Sequence, residues 1–440
     1  MIRFGLYNFI WHLLRPVIPI LLRWRAWRGK EVIARLQDRY GLPYFDQGSI
    51  GDQEQGEVIW IHAVSVGETV AAIGLATALI DELPTAKLLI TTNTVSAAAM
   101  VEKEIAKGVC LSHAFQPLDH PHFVDRFLAK TNPVLAIFIE SDFWPNLITR
   151  TAAKSVPIVF ASSQLSRDAF LRWQRQPVMA KAIFSAPQHI FAVNEQQASQ
   201  FETLGADAAR ITVLGSLKLG SLAAVDPALC KQLKTAIGSR HVLLAASTHE
   251  GEDASIIAAA NALNDTEQGD NWLTIIAPRH PRRGARIAAD SNHAPQRSRG
   301  HWPSPDHNIY IMDSFGELGS LFSLADLVVL GGAFAPKGGH NPLEPAAFGL
   351  PIITGPHIFK NAAEFAGLRD AGVVFDIAED AVTDATATGQ QLARLARGII
   401  DDKDKRRQIA AAAKAYADTA ARRCEVAAKQ ILDCTLLSNR

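Results

Sequence analysis

The chain has 440 residues, 48% hydrophobic and 20% charged, the balance of a globular protein with room for two or three domains. Lys plus Arg and Asp plus Glu both total 44, so the net charge is zero; a protein that neutralises many phosphates needs a basic excess, which argues against a nucleic-acid partner. Cys110, Cys230, Cys424 and Cys434 are scattered without a C-x-x-C, which argues against a disulfide framework or a zinc module and for a reducing compartment.

The amino terminus departs from this average. Residues 1–30 carry Arg3, Arg15, Arg23, Arg25, Arg28 and Lys30, no acid, and Trp11, Trp24 and Trp27. An apolar run from Phe4 to Leu22 is interrupted by His12, Arg15, Pro16 and Pro19, which makes it marginal for a span of about 20 apolar residues. Tryptophan and arginine favour the headgroup layer. The segment reads as membrane-associating, on the surface or as a signal-anchor, with the remaining chain in the cytoplasm. The alternative is an amphipathic helix buried in the first domain.

Short apolar runs then alternate with helical patterns. Runs at 58–62, 87–92, 134–139, 156–161 and 189–193 predict strands of one parallel sheet, and a second series follows at 242–246, 272–277, 309–312 and 327–330. A linker is expected near Gly215–Asp226, polar loops at 264–271 and 291–308, and Ala-rich helices from Asp401 onward. This divides the chain into a segment 1–30, a first α/β domain 31–220 and a second 221–440. Two doubly wound halves are expected to face a cleft with the carboxyl ends of their strands, where such sheets carry chemistry.

The unusual residues cluster after predicted strands. Ser65-Val66-Gly67-Glu68 opens a helix; Glu68 there is either a general base favoured as an anion by the helix dipole or the partner of Ser65 in a capping box. Glu140-Ser141-Asp142-Phe143-Trp144-Pro145-Asn146 closes a very apolar strand. It reads as an acceptor-side wall, or else Glu140 binds local backbone amides. Pro278-Arg279-His280-Pro281 is a stiff loop presenting an arginine suited to phosphate, whereas Arg282, Arg283 and Arg286 read as an ordinary basic turn. Gly331 to Pro345 surrounds a loop with two glycine pairs before a helix starting near Pro342. Its amides and helix start predict an anion site, with Gly338, Gly339 and His340 as phosphate or loop contacts and Glu344 placed for sugar hydroxyls, or else a turn that only caps the helix. Gly316-Glu317-Leu318 is expected to meet a base or ribose through backbone, or simply to start a helix. No P-loop, G-x-G-x-x-G or H-E-x-x-H occurs, and the single D-x-D, Asp402/Asp404, lies in a charged helical tail. No metal site is therefore expected.

Taken in order, Ser65 to Glu68, Glu140 to Asn146, Ser247-Thr248-His249-Glu250-Gly251-Glu252, Pro278 to Pro281 and Gly338 to Pro345, with Gly355-Pro356-His357, resemble the 3-deoxy-D-manno-octulosonic acid (Kdo) transferases of lipopolysaccharide biosynthesis over about residues 31 to 420. The resemblance implies a glycosyltransferase-B fold, a membrane-associated amino terminus at the cytoplasmic face of the bacterial inner membrane, and transfer of Kdo from CMP-Kdo to lipid IV-A without a cofactor. It gives Glu68 as catalytic base and Glu140 as a second carboxylate. Pro278, Arg279, Gly316, Glu317, Leu318, Asn341, Pro342, Leu343 and Glu344 match the CMP-binding segments, and Lys218 lies in a motif near the hinge. The sequence departs from the family pattern at Ser162 to Ser166, at Ser216 and at Asn93 to Ser96, in the acceptor half. Two other readings differ in class: a UDP-sugar-dependent enzyme of the same fold, and an inactive membrane-bound nucleotide-sugar binder.

Overall fold

A computed structural model describes residues 4–45, 57–218, 224–265, 271–378, 382 and 384–435. The middle of the expected linker and of the 264–271 loop lies outside these residues, as do residues 1–3. The chain forms two compact units, Met1–Leu219 with Ala421–Arg440, and Gly220–Ala420.

In the first unit, β1 (Val58–His62), β2 (Lys87–Thr92), β3 (Leu111–Phe115), β4 (Pro133–Ile139), β5 (Ile158–Ser163), β6 (His189–Ala192) and β7 (Ile211–Val213) form one sheet in the order β3-β2-β1-β4-β5-β6-β7. Every pairing is parallel. Parallel strands need crossovers and are covered on both faces, so they become continuous apolar runs. β1 is buried at all five positions, its Ile61 pairing with Ile90 on one side and Ile137 on the other. Trp60 and Phe138 stack edge-on at 5.3 Å under one face, each such side chain contributing about 1.5–3 kcal/mol by burial.

In the second unit, β8 (His241–Thr248), β9 (Trp272–Pro278), β10 (Ile309–Ile311), β11 (Leu327–Leu330), β12 (Ile352–Thr354) and β13 (Val374–Asp376) are ordered β10-β9-β8-β11-β12-β13, again all parallel. Each sheet therefore has one place where the winding reverses, between β1 and β4 in the first and between β8 and β11 in the second. A crevice forms at such a reversal, outside the carboxyl ends of the strands.

The sequence missed β3, β7, β12 and β13. All but β3 are three residues long, and β3 carries Ser112 and His113 in an edge strand. A second correction concerns the last helix, Arg423–Cys434, expected with residues 221–440. Its Cys424, Ala427, Ala428, Ile431 and Leu432 instead join the first unit's core beside Ala71, Leu75 and Leu79 of helix Val66–Glu82. Its stripe of small residues permits close packing, and Gly74 leaves just enough room for the Cys424 sulfur, which a Cβ would meet at 3.1 Å.

Residues 4–27 form two helices, Phe4–Leu14 and Ile18–Trp27, bent 68° at the break that Pro16 initiates. Among the described residues no single helix is long and apolar enough to cross a membrane, though the bent pair passes by length and composition together. Ile18 and Leu22 pack on Phe123, and the Tyr7 hydroxyl donates to Asp119 at 2.7 Å. Leu13, Ile20 and Trp27 stay 66%, 68% and 79% exposed.

Candidate functional site

The loops after β1 and β4 meet at the first sheet's winding reversal. Ser65 caps helix Val66–Glu82, accepting from the Glu68 amide, while Glu68 Oε2 accepts from the amides of Val64 at 2.6 Å and Ser65 at 3.2 Å. The capping box is thus formed. It coexists with the chemical reading: Glu68 is buried, and burial, reinforced by the charge of Glu140, raises its pKa against the lowering by those amides. A carboxylate raised in this way is a better proton acceptor.

Glu140 directly follows β4 with φ +62°, a conformation costing a non-glycine residue about 1–3 kcal/mol. Among the described residues no local backbone amide donates to it. Its buried carboxylate instead holds Lys218, at 2.6 Å to Oε1 and 2.9 Å to Oε2, and accepts from Gln164 Nε2 at 3.2 Å. The Lys218 stem lies over Gly67, where an added Cβ would sit 3.3 Å from its Cε. Glu68, Glu140 and Lys218 are therefore one cluster, assembled from positions 68, 140 and 218. Gln164 and Ser216 support it: Ser216 Oγ accepts from the Lys218 amide at 3.1 Å. Ser162, at φ +55°, accepts from the Leu217 amide at 3.1 Å. Asn93 receives Arg39 through both its side-chain and backbone oxygens, each at 2.8 Å.

In the rest of the Glu140–Asn146 loop, Ser141 is exposed while Phe143, Pro145 and Asn146 are buried. Asp142 binds His62 Nε2 at 2.9 Å and accepts from Trp144 Nε1 at 2.7 Å, and the other His62 nitrogen meets Thr91 at 2.8 Å. Asp119 accepts from the amides of Asn146 and Leu147 at 2.9 and 2.7 Å, and burial lifts its pKa to about 7. Asp142 and Asn146 thus brace the loop. His62 and Asp119, which the sequence did not single out, are its anchors.

In the second unit the loops after β8 and β11 meet. Gly331 follows β11 so closely under β8 that a Cβ would lie 2.5 Å from the Ser247 carbonyl. The buried Glu252 accepts from the amides of His249 at 2.7 Å, Gly332 and Phe334 at 3.0 Å, and Ala335 at 3.1 Å. The amides of Gly339 and His340 donate to the carbonyls of Gly332 and Gly331. These are corrections: much of the expected anion-binding backbone is occupied within the loop, because a buried amide must find a partner when the loop folds. Glu252 is the organising residue, in a motif the sequence marked without giving it a role.

His249 and His340 stack nearly parallel, ring centroids 5.1 Å apart and Nε2 atoms 3.0 Å apart. His280 stands edge-on to His249 at 6.1 Å. Burial first, then the charges of His249, Arg279 and Lys360, pushes His340 down to about 4. Arg279 follows β9 and is exposed; burial raises the pKa of Glu344, with the Arg279 charge opposing the rise. Pro278, Arg279, His340 and Glu344 are thus brought to one end of the sheet. Pro342 caps the short helix Leu343–Ala347, and Asn341 Oδ1 accepts from the Leu343 amide at 3.0 Å.

Gly316 has φ +81° before helix Leu318–Phe322, and Glu317 is tied to Ser314 and to Arg297 at 2.9 Å. Arg283 is no ordinary basic turn: it is paired with Asp253 and donates to the Thr248 carbonyl at 2.7 Å, fastening the β9 loop to β8. Asp402 and Asp404 are exposed.

A family model described as 3-deoxy-D-manno-octulosonic-acid transferase (kdotransferase) matches residues 34–221, which contain the whole Glu68–Glu140–Lys218 cluster. A probable mitochondrial 3-deoxy-D-manno-octulosonic acid transferase of Arabidopsis thaliana is 32% identical over 367 residues, covering 81% of this chain and 80% of its own. The chain belongs to the Kdo transferase family. A further member, the 3-deoxy-D-manno-octulosonic acid transferase of Haemophilus influenzae, is 30% identical over 402 residues, 90% of each chain. Among solved structures, UDP-GlcNAc 2-epimerase from Neisseria meningitidis bound to UDP-GlcNAc aligns with TM-score 0.57, 12% identity and coverage of 86% of this chain and 99% of that one. That likeness gives the fold, two parallel-sheet α/β domains of the glycosyltransferase-B kind. The transferase relatives give the family.

Proposed function

We propose that the chain is an inverting transferase that moves Kdo from CMP-Kdo to lipid IV-A, and that Glu68 is its base. The observation that carries this reading is the buried Glu68 carboxylate, raised in pKa, beside the Lys218-neutralised Glu140. Glu68 takes the proton of an acceptor hydroxyl as the oxygen attacks the anomeric carbon of Kdo. The bond to CMP breaks and CMP leaves as an already ionised phosphate, so neither a strong acid nor a metal cofactor is required. Lys218 pairs with Glu140, and the charge of Glu140 adds to the burial that raises the pKa of Glu68.

Arg279 is suited to the departing phosphate, being a bidentate donor on a loop stiffened by Pro278 and Pro281. Glu252 holds the glycine loop in shape so that Gly338 and Asn341 to Glu344 present to the nucleotide sugar, with Gly316 to Leu318 beside the base or ribose. The exposed apolar side chains of residues 4–27, rimmed by arginines, support attachment to the cytoplasmic face of the bacterial inner membrane, where a lipid acceptor keeps its acyl chains.

The test is incubation with lipid IV-A and CMP-Kdo generated in situ, the lipid read by mass spectrometry, with Glu68→Ala in parallel. A Glu68-dependent mass gain of one or more Kdo units is expected. An unchanged lipid mass, with the donor intact and a known Kdo transferase active in the same mixture, refutes the donor and acceptor assignment.

A further inference from the structure

The first unit carries a second polar concavity that the transfer reaction does not use. Helix Pro121–Thr131 presents His122, Asp125, Arg126 and Ala129 along one side, spacings that share a helix face. The carboxyl end of helix Pro145–Ala153 faces them with Arg150 and Ala153, followed by Lys154. Between them lies a groove of about 590 Å³.

Its charge is unbalanced. Asp125 is the one acid in the lining, and Arg150 takes both its oxygens, with Nε to Oδ1 at 2.6 Å. His122, Arg126 and Lys154 remain. Arg126 lines the groove, its Nε buried and without a hydrogen bond among the described residues.

The groove is joined to the amino-terminal hairpin. Arg126 sits 5.2 Å over the Phe123 ring, and Phe123 is buried against Ile18 and Leu22. His120 stacks on Phe123 at 4.5 Å and meets His12 edge-on at 4.7 Å. Burial and then the fields of His12, Arg15, His122 and Arg126 push His120 down to about 4. Hairpin and groove thus share one positive field, next to exposed Leu13 and Ile20. The chemistry that satisfies both is an anion carrying acyl chains.

We propose that this groove seats the phosphate headgroup of an anionic bilayer lipid while the hairpin lies in the adjoining interface. The inference rests on the membrane reading above and names its lipid class. A cation at an anionic surface strengthens binding about fivefold, so removing two lowers it about twentyfold or more.

The full chain is floated with vesicles of phosphatidylcholine alone and of phosphatidylcholine with phosphatidylglycerol. The unaltered chain is expected to prefer the anionic vesicles. Arg126→Gln with Lys154→Gln is expected to lose that preference while keeping its melting temperature and its binding to neutral vesicles. Lys103→Gln with Lys107→Gln, the same charge removed from the exposed end of another helix, is expected to keep the preference. Equal losses in the two double variants, or none at Arg126 and Lys154, overturn the groove. Full competition by millimolar glycerol phosphate overturns the lipid assignment in favour of a general anion site. Leu13→Asp with Ile20→Asp tests the hairpin separately. If that variant retains binding to anionic vesicles while the Arg126 and Lys154 variant loses it, the hairpin reading fails and the groove stands. Flotation with neither vesicle overturns both.

Discussion

In the first unit the loops beside the winding reversal bring together two carboxylates and an amine. In the second, at the same position of the same strand order, they bring together two imidazoles, a glycine loop and a carboxylate spent on backbone amides. Topology chooses the place in both sheets, and the local side chains choose what is done there. The first unit gathers a Lys218-paired carboxylate and backbone strain at Glu140, beside the buried Glu68. The second spends its charge on shape: Glu252 fixes a loop, and Arg283 fixes the loop beside it.

The sharpest way to break this contrast is Glu68→Gln. It keeps the cap geometry, because an amide oxygen still accepts from the Val64 and Ser65 amides, and it removes the base. Transfer is expected to fall about 10²–10⁴-fold with CMP affinity unchanged by calorimetry. Retained turnover would make the capping box the whole role of Glu68.

Glu252→Ala is the counterpart in the second unit. It strands four amides, at about 1–3 kcal/mol for each one left buried, and loop relaxation recovers part, leaving an expected loss on the order of 3 kcal/mol. Urea unfolding with a lowered midpoint, together with lost CMP affinity, would establish a loop-building role. Full stability with altered turnover would make Glu252 chemical instead.

Gly338→Val is gentler. Its φ of +96° and the Lys360 Cγ only 2.6 Å from an added Cβ disfavour a side chain, at about 1–3 kcal/mol. Since Lys360 can swing away, CMP affinity is expected to fall more than stability. An unchanged dissociation constant would separate this glycine pair from the donor.

The smallest effect concerns pH. His340 has a folded pKa of about 4 against an ordinary 6.5, so the unfolded chain binds this proton first as pH falls. Its contribution to stability is complete above about 6.5 and is lost toward 4. His249, Arg279 and Lys360 face it and act in the same sense. The melting temperature of His340→Asn is therefore expected to drop less than that of the unaltered chain over this interval. Equal drops would locate the acid sensitivity elsewhere.

The sequence disclosed the buried strands best, because central parallel strands such as β1 and β11 are uninterrupted apolar runs. β12 and β13 escaped because three residues carry no period. Glu140 and Arg279 were visible as polar residues directly after such runs, and Glu68 through the Ser65-x-x-Glu68 helix start. Their partnerships were not: Lys218 reaches Glu140 across 78 residues and Glu252 reaches Phe334 across 82, separations that no local pattern encodes. The left-handed backbone at Glu140, Ser162 and Ser247 was equally hidden, since none is glycine.

The return of helix Arg423–Cys434 to the first unit has a consequence for synthesis. The second unit is one continuous stretch, Gly220–Ala420, whereas the first needs residues from both sides of it. During translation the earlier-made unit therefore waits, with Leu75 and Leu79 short of their Ile431 and Leu432 neighbours, until the later-made one has emerged. A released chain ending at Ala420 should leave the first unit protease-sensitive while the second is protected, the reverse of the usual amino-terminal-first order.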